Sequence, residues 1–139
     1  MTTLAISNAQ AVILEREAVS AYPRESCGLL IGYGDISTVV TGIIPSENRA
    51  EASDRFVIDP QLQIKWIRKL RGTDRRVIGP YHSHPNGMVE PSHLDKKMAL
   101  ESGQIWLIVP IQDGKARNFG AYKVTKEAGS FVPIPIVPS

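Results

Sequence analysis

Arg76-Val77-Ile78-Gly79-Pro80-Tyr81-His82-Ser83-His84-Pro85 is the stretch from which the fold is read. Its apolar and aromatic residues predict a strand over 76–84, and Pro85 terminates it. Pro85 to Pro91, with Asn86-Gly87 inside, reads as a loop. Ser92 then has the form of an N-cap, and a short helix is expected from there to Gly103. Side chains on a strand alternate between faces, so His82 and His84 project side by side near the end of this strand.

Working outward towards the N-terminus, Asp59-Pro60 is a helix start, with aspartate as cap and proline in the first turn. Leu62, Trp66, Ile67 and Leu70 supply its apolar face, and Gly72 ends it. Pro45 to Arg55 reads as a loop. Before it, a strand from Glu25 to Tyr33, a turn at Gly34-Asp35 and a Val/Ile/Thr-rich strand from Ile36 to Ile44 form a hairpin. Ser7 and Gln10 form a capping box for a helix carrying Ala11, Val12, Leu14, Ala18 and Val19, which Tyr22-Pro23 stops. Towards the C-terminus, Gln104 to Ile111 is almost wholly apolar and therefore a central strand. Asp113-Gly114 turns the chain into a strand from Asn118 to Val124. The tail from Phe131 to Ser139 alternates proline with Val and Ile, and reads as an edge strand or extended arm. The expected architecture is one mixed α/β domain over residues 1–139, a partly antiparallel sheet flanked by helices.

Composition narrows the function. A chain of 139 residues folds without disulfides or a cofactor to staple it. Sixteen Lys and Arg against fourteen Asp and Glu leave +2, too mild a charge to favour nucleic acid or an anionic membrane. The lone Cys27 excludes an internal disulfide, a CxxC pair and a cysteine-rich zinc cage. No apolar run approaches the roughly 20 residues of a membrane span, and Met1 to Gln10 lacks the pattern of a signal peptide. A soluble cytoplasmic domain is the expectation.

The histidine pair carries the chemistry. Asp95 falls in the first turn of the helix begun at Ser92, where the helix dipole favours a carboxylate that leans back to the strand end. Two His and one Asp make a three-ligand set in which zinc keeps its fourth position for water. Such a hydrolase also needs a base and a group to steady the oxyanion. Glu25 is a candidate base and Ser92 a candidate hydroxyl donor. Each residue has a plainer reading: a surface histidine pair, a capping box for Ser92 and Asp95, a surface carboxylate for Glu25. His93 and Glu90 read as solvated.

Glu25, His82-Ser83-His84, seven intervening residues, Ser92, two more and Asp95 resemble the JAMM motif of MPN-domain metalloproteases, with every position filled. The resemblance extends over the Glu25-to-Leu29 strand and the helix before the histidine strand. It implies an MPN-like fold and a zinc isopeptidase site: His82, His84 and Asp95 as ligands, Glu25 as general acid/base, and Ser92 assisting the tetrahedral intermediate. It also implies amide substrates at the C-terminal Gly-Gly of ubiquitin-like proteins. For a compact chain of prokaryotic type, these are sulfur-carrier proteins bearing an adduct or fused segment. Eukaryotic deubiquitinase members carry inserts and C-terminal helices that this chain lacks, so polyubiquitin is not expected as its substrate. A Gly-Gly tail held by backbone pairing is expected near Asn48 to Phe56.

The alternatives from other classes are a non-catalytic MPN scaffold, a RadC-type DNA-associated protein, and a phage-tail or cell-wall peptidase. Cys27 reads as a small buried hydrophobe beside the site. Lys65, Arg68, Lys69, Arg71, Arg75 and Arg76 form a basic cluster, either a solvated face or the seat of an acidic partner. Trp66 and Trp106 read as core, and the 86–91 loop as a lid or a plain connector.

Overall fold

Ser7 Oγ accepts the Gln10 N–H at 3.1 Å, and Gln10 Oε1 accepts the Ser7 N–H at 3.0 Å, so the capping box starts its helix as read. In the computed structural model, which describes residues 2–127 and 129–139, that helix is α1 (Asn8–Ala21). It follows β1 (Thr3–Ile6) and precedes the hairpin β2 (Cys27–Tyr33) and β3 (Ser37–Ser46). Then come α2 (Pro60–Leu70), β4 (Arg76–His84), α3 (His93–Met98) and β5 (Ile105–Gln112). The chain closes with β6 (Lys115–Ala116), β7 (Gly120–Val124), β8 (Phe131–Ile134) and β9 (Ile136–Pro138).

The strands order as β8-β7-β5-β4-β2-β3-β1-β9, with β6 beside β5. β2 is antiparallel to β3 and β4, β4 is parallel to β5, and β5 is antiparallel to β7. The sheet is therefore mixed, as expected, and β4 and β2 lie at the middle of the order, with β5 next to β4. β8 and β9 stand at opposite ends of the order, yet only Pro135 separates them in the chain. The Pro135 carbonyl accepts the Leu4 N–H at 2.9 Å. One residue spans only a few ångströms, so the two edges meet and the sheet rolls into a nearly closed barrel. The proline-rich tail is its seam, not an arm.

The two faces carry separate cores. Leu4, Leu14, Leu30, Tyr81, Leu107 and Val109 pack with α1 on one. Cys27, Leu29, Phe56, Leu70, Trp106 and Val124 pack on the other, which α2 helps to cover. Burying each large apolar side chain contributes about 1.5–3 kcal/mol. Alternation along β4 is interrupted where the register with β2 shifts between Leu30 and Ile31. Val77 and Ile78 face opposite cores, whereas Ile78 and Tyr81, three apart, share one. A Cβ at Gly79 in this irregular stretch would lie 2.0 Å from the Ile105 carbonyl oxygen, so only glycine fits. Beyond it, Tyr81 and Ser83 face α1, and His82 and His84 face the other way.

Four expectations are corrected. β1 was not legible: it has four residues, and its pairing with β3 and β9 is parallel on both sides and wholly non-local. α3 ends at Met98, not Gly103, where a positive-φ turn follows instead. In α1 only Leu14 and Ala18 are buried, while Val12 and Val19 are exposed. In α2 only Leu70 is buried; Ile67 is 53% exposed, and Trp66 is half-buried with the Lys69 ammonium 4.5 Å above its ring. Trp106 is core, as expected.

Behind β4, the Tyr81 hydroxyl donates to Glu17 Oε1 at 2.7 Å. Burial of Glu17 raises its pKa, against the lowering effect of that hydrogen bond, and its Oε2 has no partner. The folded state therefore holds this proton to higher pH than the unfolded chain. Its favourable contribution is complete below the unfolded carboxyl value of 4.5 and is lost as pH climbs through the raised folded value. Denaturant midpoints of the metal-free protein are expected to show Glu17→Gln gaining stability relative to wild type as pH rises from 4 to 8. A constant difference across that range would show that Glu17 titrates in the fold as it does in the unfolded chain.

Candidate metal centre

Strand β4 delivers His82 and His84, and α3 delivers Asp95 from its first turn. All three are buried. His82 Nε2 and His84 Nε2 lie 3.0 Å apart, and Asp95 Oδ2 is 3.1 Å from the first and 3.0 Å from the second. Asp95 also completes the helix cap: its Oδ2 accepts the Ser92 N–H at 2.9 Å, and Ser92 Oγ accepts the Asp95 N–H at 3.0 Å. The capping and metal-binding readings are thus one geometry, because the cap aims the carboxylate at the strand end.

The ring orientation points ligand atoms at the centre. His84 Nδ1 donates to the Met88 carbonyl at 2.8 Å, which turns Nε2 inward as the atom that would bind a metal on losing its proton. Burial holds the His82 pKa below its ordinary value in spite of Asp95. Burial also acts against a charged His84, but the Asp95 carboxylate outweighs it and raises that pKa. Burial alone would raise the Asp95 pKa; hydrogen bonds from both histidines pull it well below the carboxylate range. Three electron-pair donors in mutual contact in a buried site call for a cation. Ligands about 2.0–2.1 Å from a tetrahedral zinc lie roughly 3.3 Å apart, close to the spacing here. The donor set fits a metal ion.

Around this centre, Glu25 is buried just ahead of β2, and its Oε1 has no partner among the described residues. Burial raises its pKa to about 7, with His84 lowering it and Asp95 raising it. Ser92 Oγ accepts one hydrogen bond and donates none among the described residues, so its proton is free to point outward. His93 and Glu90 are exposed, as expected. Cys27 is buried, its thiol pushed up to about 12 by burial and by the Glu25 and Glu17 charges, and it acts as a small hydrophobe. The 85–91 loop is pinned by the Met88 carbonyl on His84 and by the Val89 carbonyl, which accepts the Tyr122 hydroxyl at 2.9 Å. It supports His84.

Three contributors were missed in the sequence. Phe56 stacks on the His82 ring with centroids 4.3 Å apart, and Trp106 meets that ring edge-on at 5.6 Å. Ser83, on the far face, binds Ser26 twice: its Oγ accepts the Ser26 N–H at 2.7 Å, and its N–H donates to the Ser26 carbonyl at 3.0 Å. That ties β4 to the residue beside Glu25. The third is Asn48, inside the segment read as a loop. Phe56 in a polar stretch was the one available signal.

The family model for prokaryotic homologues of the JAB domain matches residues 9–123, most of the chain and all five motif positions. The chain belongs to this family. Among relatives of the prokaryotic JAB protein, the desampylase of Haloferax volcanii is 31% identical over 86 residues, covering 62% of each protein. The Lys-63-specific deubiquitinase BRCC36 of Xenopus tropicalis is 33% identical over 86 residues, covering 56% of this chain and 33% of BRCC36. The chain thus matches less than two-thirds of either relative's length. Protein DSY2949 of Desulfitobacterium hafniense superposes with a TM-score of 0.83 at 26% identity, covering 100% of this chain and 93% of the other. AF2198, a JAB1/MPN domain protein of Archaeoglobus fulgidus, shares the fold with a TM-score of 0.57 at 23% identity, over 99% of both chains. The MPN-like fold expected from the motif is thereby established.

Proposed function

We propose that this prokaryotic JAB protein is a zinc-dependent isopeptidase that hydrolyses amide bonds after the C-terminal Gly-Gly of ubiquitin-like sulfur-carrier proteins. The observation that carries this reading is the convergence of His82, His84 and Asp95 within 3.1 Å, with the Glu25 carboxylate close enough for His84 and Asp95 to shift its pKa. The names of the desampylase and deubiquitinase relatives support the substrate class. His82, His84 and Asp95 would hold zinc, which would supply Lewis acidity and make the attacking water more acidic. Glu25 takes the proton of the attacking water and passes it to the leaving amine as the C–N bond breaks. The free Ser92 hydroxyl proton donates to the developing oxyanion.

The substrate body has a seat beside this site. A cleft of about 680 Å³ is walled by Phe56 and Trp106, which also touch His82, and is rimmed by Arg71, Arg75 and Arg76. With Lys65, Arg68 and Lys69 on α2, these side chains are exposed and carry no ion pair among the described residues. An acidic ubiquitin-fold surface complements them, and its tail would run past the exposed backbone of residues 51–55. No helix among the described residues is long and apolar enough to cross a membrane. The test is cleavage of a Gly-Gly-tailed ubiquitin-fold carrier joined to a lysine reporter by an isopeptide bond, followed by mass spectrometry. Cleavage after the second glycine, abolished by a chelator and restored by zinc, is expected. An intact substrate with fully zinc-loaded protein would overturn the reading.

A further inference from the structure

Asn48 precedes an exposed stretch that ends at Phe56, and its amide is used completely. Nδ2 donates to the Glu25 carbonyl at 3.0 Å and to the Arg55 carbonyl at 3.1 Å. Oδ1 accepts the N–H groups of Ala50 and Val57, each at 3.0 Å. Backbone pairing of Asn48 with Ile58, and the Arg49 N–H on the Val57 carbonyl at 2.9 Å, complete a small ladder. Arg55 and Val57 flank Phe56, which lies on the His82 ring. One side chain therefore holds the backbone of Glu25 on one side and both neighbours of Phe56 on the other. Two donors and a double acceptor on so short a stem are available only from asparagine. Aspartate would face two carbonyl oxygens with a carboxylate, and alanine would leave all four backbone groups unpaired.

We propose that Asn48 is a positioning residue that locks Glu25 and the Phe56–His82 stack into one arrangement. The proposal rests on the reading of Glu25 as the base. None of the metal donors touches Asn48, so its loss should displace the base and the stack while leaving the donor triangle in place. Displacements of about an ångström at a reacting group cost up to roughly 100-fold in rate.

The experiment compares wild type, Asn48→Ala and Asn48→Asp, with Phe56→Leu as the reference for a lost stack. The first readout is the NMR spectrum of the metal-free proteins. The His82 ring protons are expected to shift downfield in both Asn48 variants, in the direction Phe56→Leu shifts them, while the His84 Nδ1 proton stays where it is. The second is zinc content, expected to remain at the wild-type level. The third is kinetics on the Gly-Gly carrier substrate: kcat itself falls about 10- to 100-fold, in addition to any rise in KM from the loosened cleft wall. In a Glu25→Gln background, Asn48→Asp brings no further loss, because the base it positions is already gone.

A His82 signal unmoved in folded Asn48 variants, or losses that multiply with Glu25→Gln, would overturn the proposal and leave Asn48 as a loop staple. Should Asn48→Ala not fold, Asn48→Asp, which keeps the acceptor, decides by the same signals. Wild-type protein that fails to cleave the carrier overturns the proposed substrate, and the NMR arm still decides the role of Asn48.

Discussion

Replacing His84 with alanine is expected to take the protein from about one tightly held zinc ion per chain to nearly none. Three donors meet at the site, and His84 supplies the one whose inward Nε2 is oriented by the Met88 carbonyl on its other nitrogen. Its removal leaves one imidazole and one carboxylate, too few to hold zinc through dialysis. Metal analysis measures the loss directly. A second observable follows from mass action: an ion that binds only the folded state raises the melting temperature. Added zinc should raise the melting point of wild type and leave that of His84→Ala unchanged. The variant should still fold, because the barrel's cores do not depend on this side chain. Equal zinc content in both proteins would show that the triangle of donors is not the metal site.

Glu25→Gln is expected to show the opposite pattern, with full zinc content and a rate reduced by about 10²- to 10⁴-fold on the Gly-Gly carrier substrate. Gln matches the size of Glu25 but cannot accept and return a proton. Glu25 lies outside the donor triangle, so metal affinity should not fall. Its carboxylate is buried with Oε1 unpartnered, an arrangement that destabilises the fold unless function retains it. The neutral amide should therefore leave the metal-free protein at least as stable as wild type at pH 8. Both variants together separate ligand from base: metal and activity vanish in His84→Ala, and activity alone in Glu25→Gln. Full activity in zinc-loaded Glu25→Gln would remove Glu25 from the mechanism.

The site was largely legible because its signals are local. His82 and His84 two apart on a strand, and a cap that places Asp95 three residues after Ser92, depend only on strand and helix geometry. The capping and metal readings of Asp95 looked like alternatives in the sequence, but in the structure the oxygen that caps the helix is also the one turned towards both histidines. Where expectation failed, the deciding contacts were remote. Ile67 follows helical spacing yet is exposed, because periodicity does not say how much of a helix face the sheet covers. β1 has only four residues, and its partners lie more than thirty positions away.

By itself, the sequence determined the helix starts, the order of the main strands and the donor set, since caps, turns and alternation act over a few residues. Tertiary structure alone decided that the tail joins both edges of the sheet into a barrel. It also decided that a serine at position 83 ties the segment carrying Glu25 to β4, and that an asparagine at position 48 spans from Glu25 to the neighbours of Phe56. These are contacts between residues remote in the chain, 57 positions apart for Ser26 and Ser83 and further still for Leu4 and Pro135. No local pattern encodes them, because their partners become neighbours only once the chain has folded.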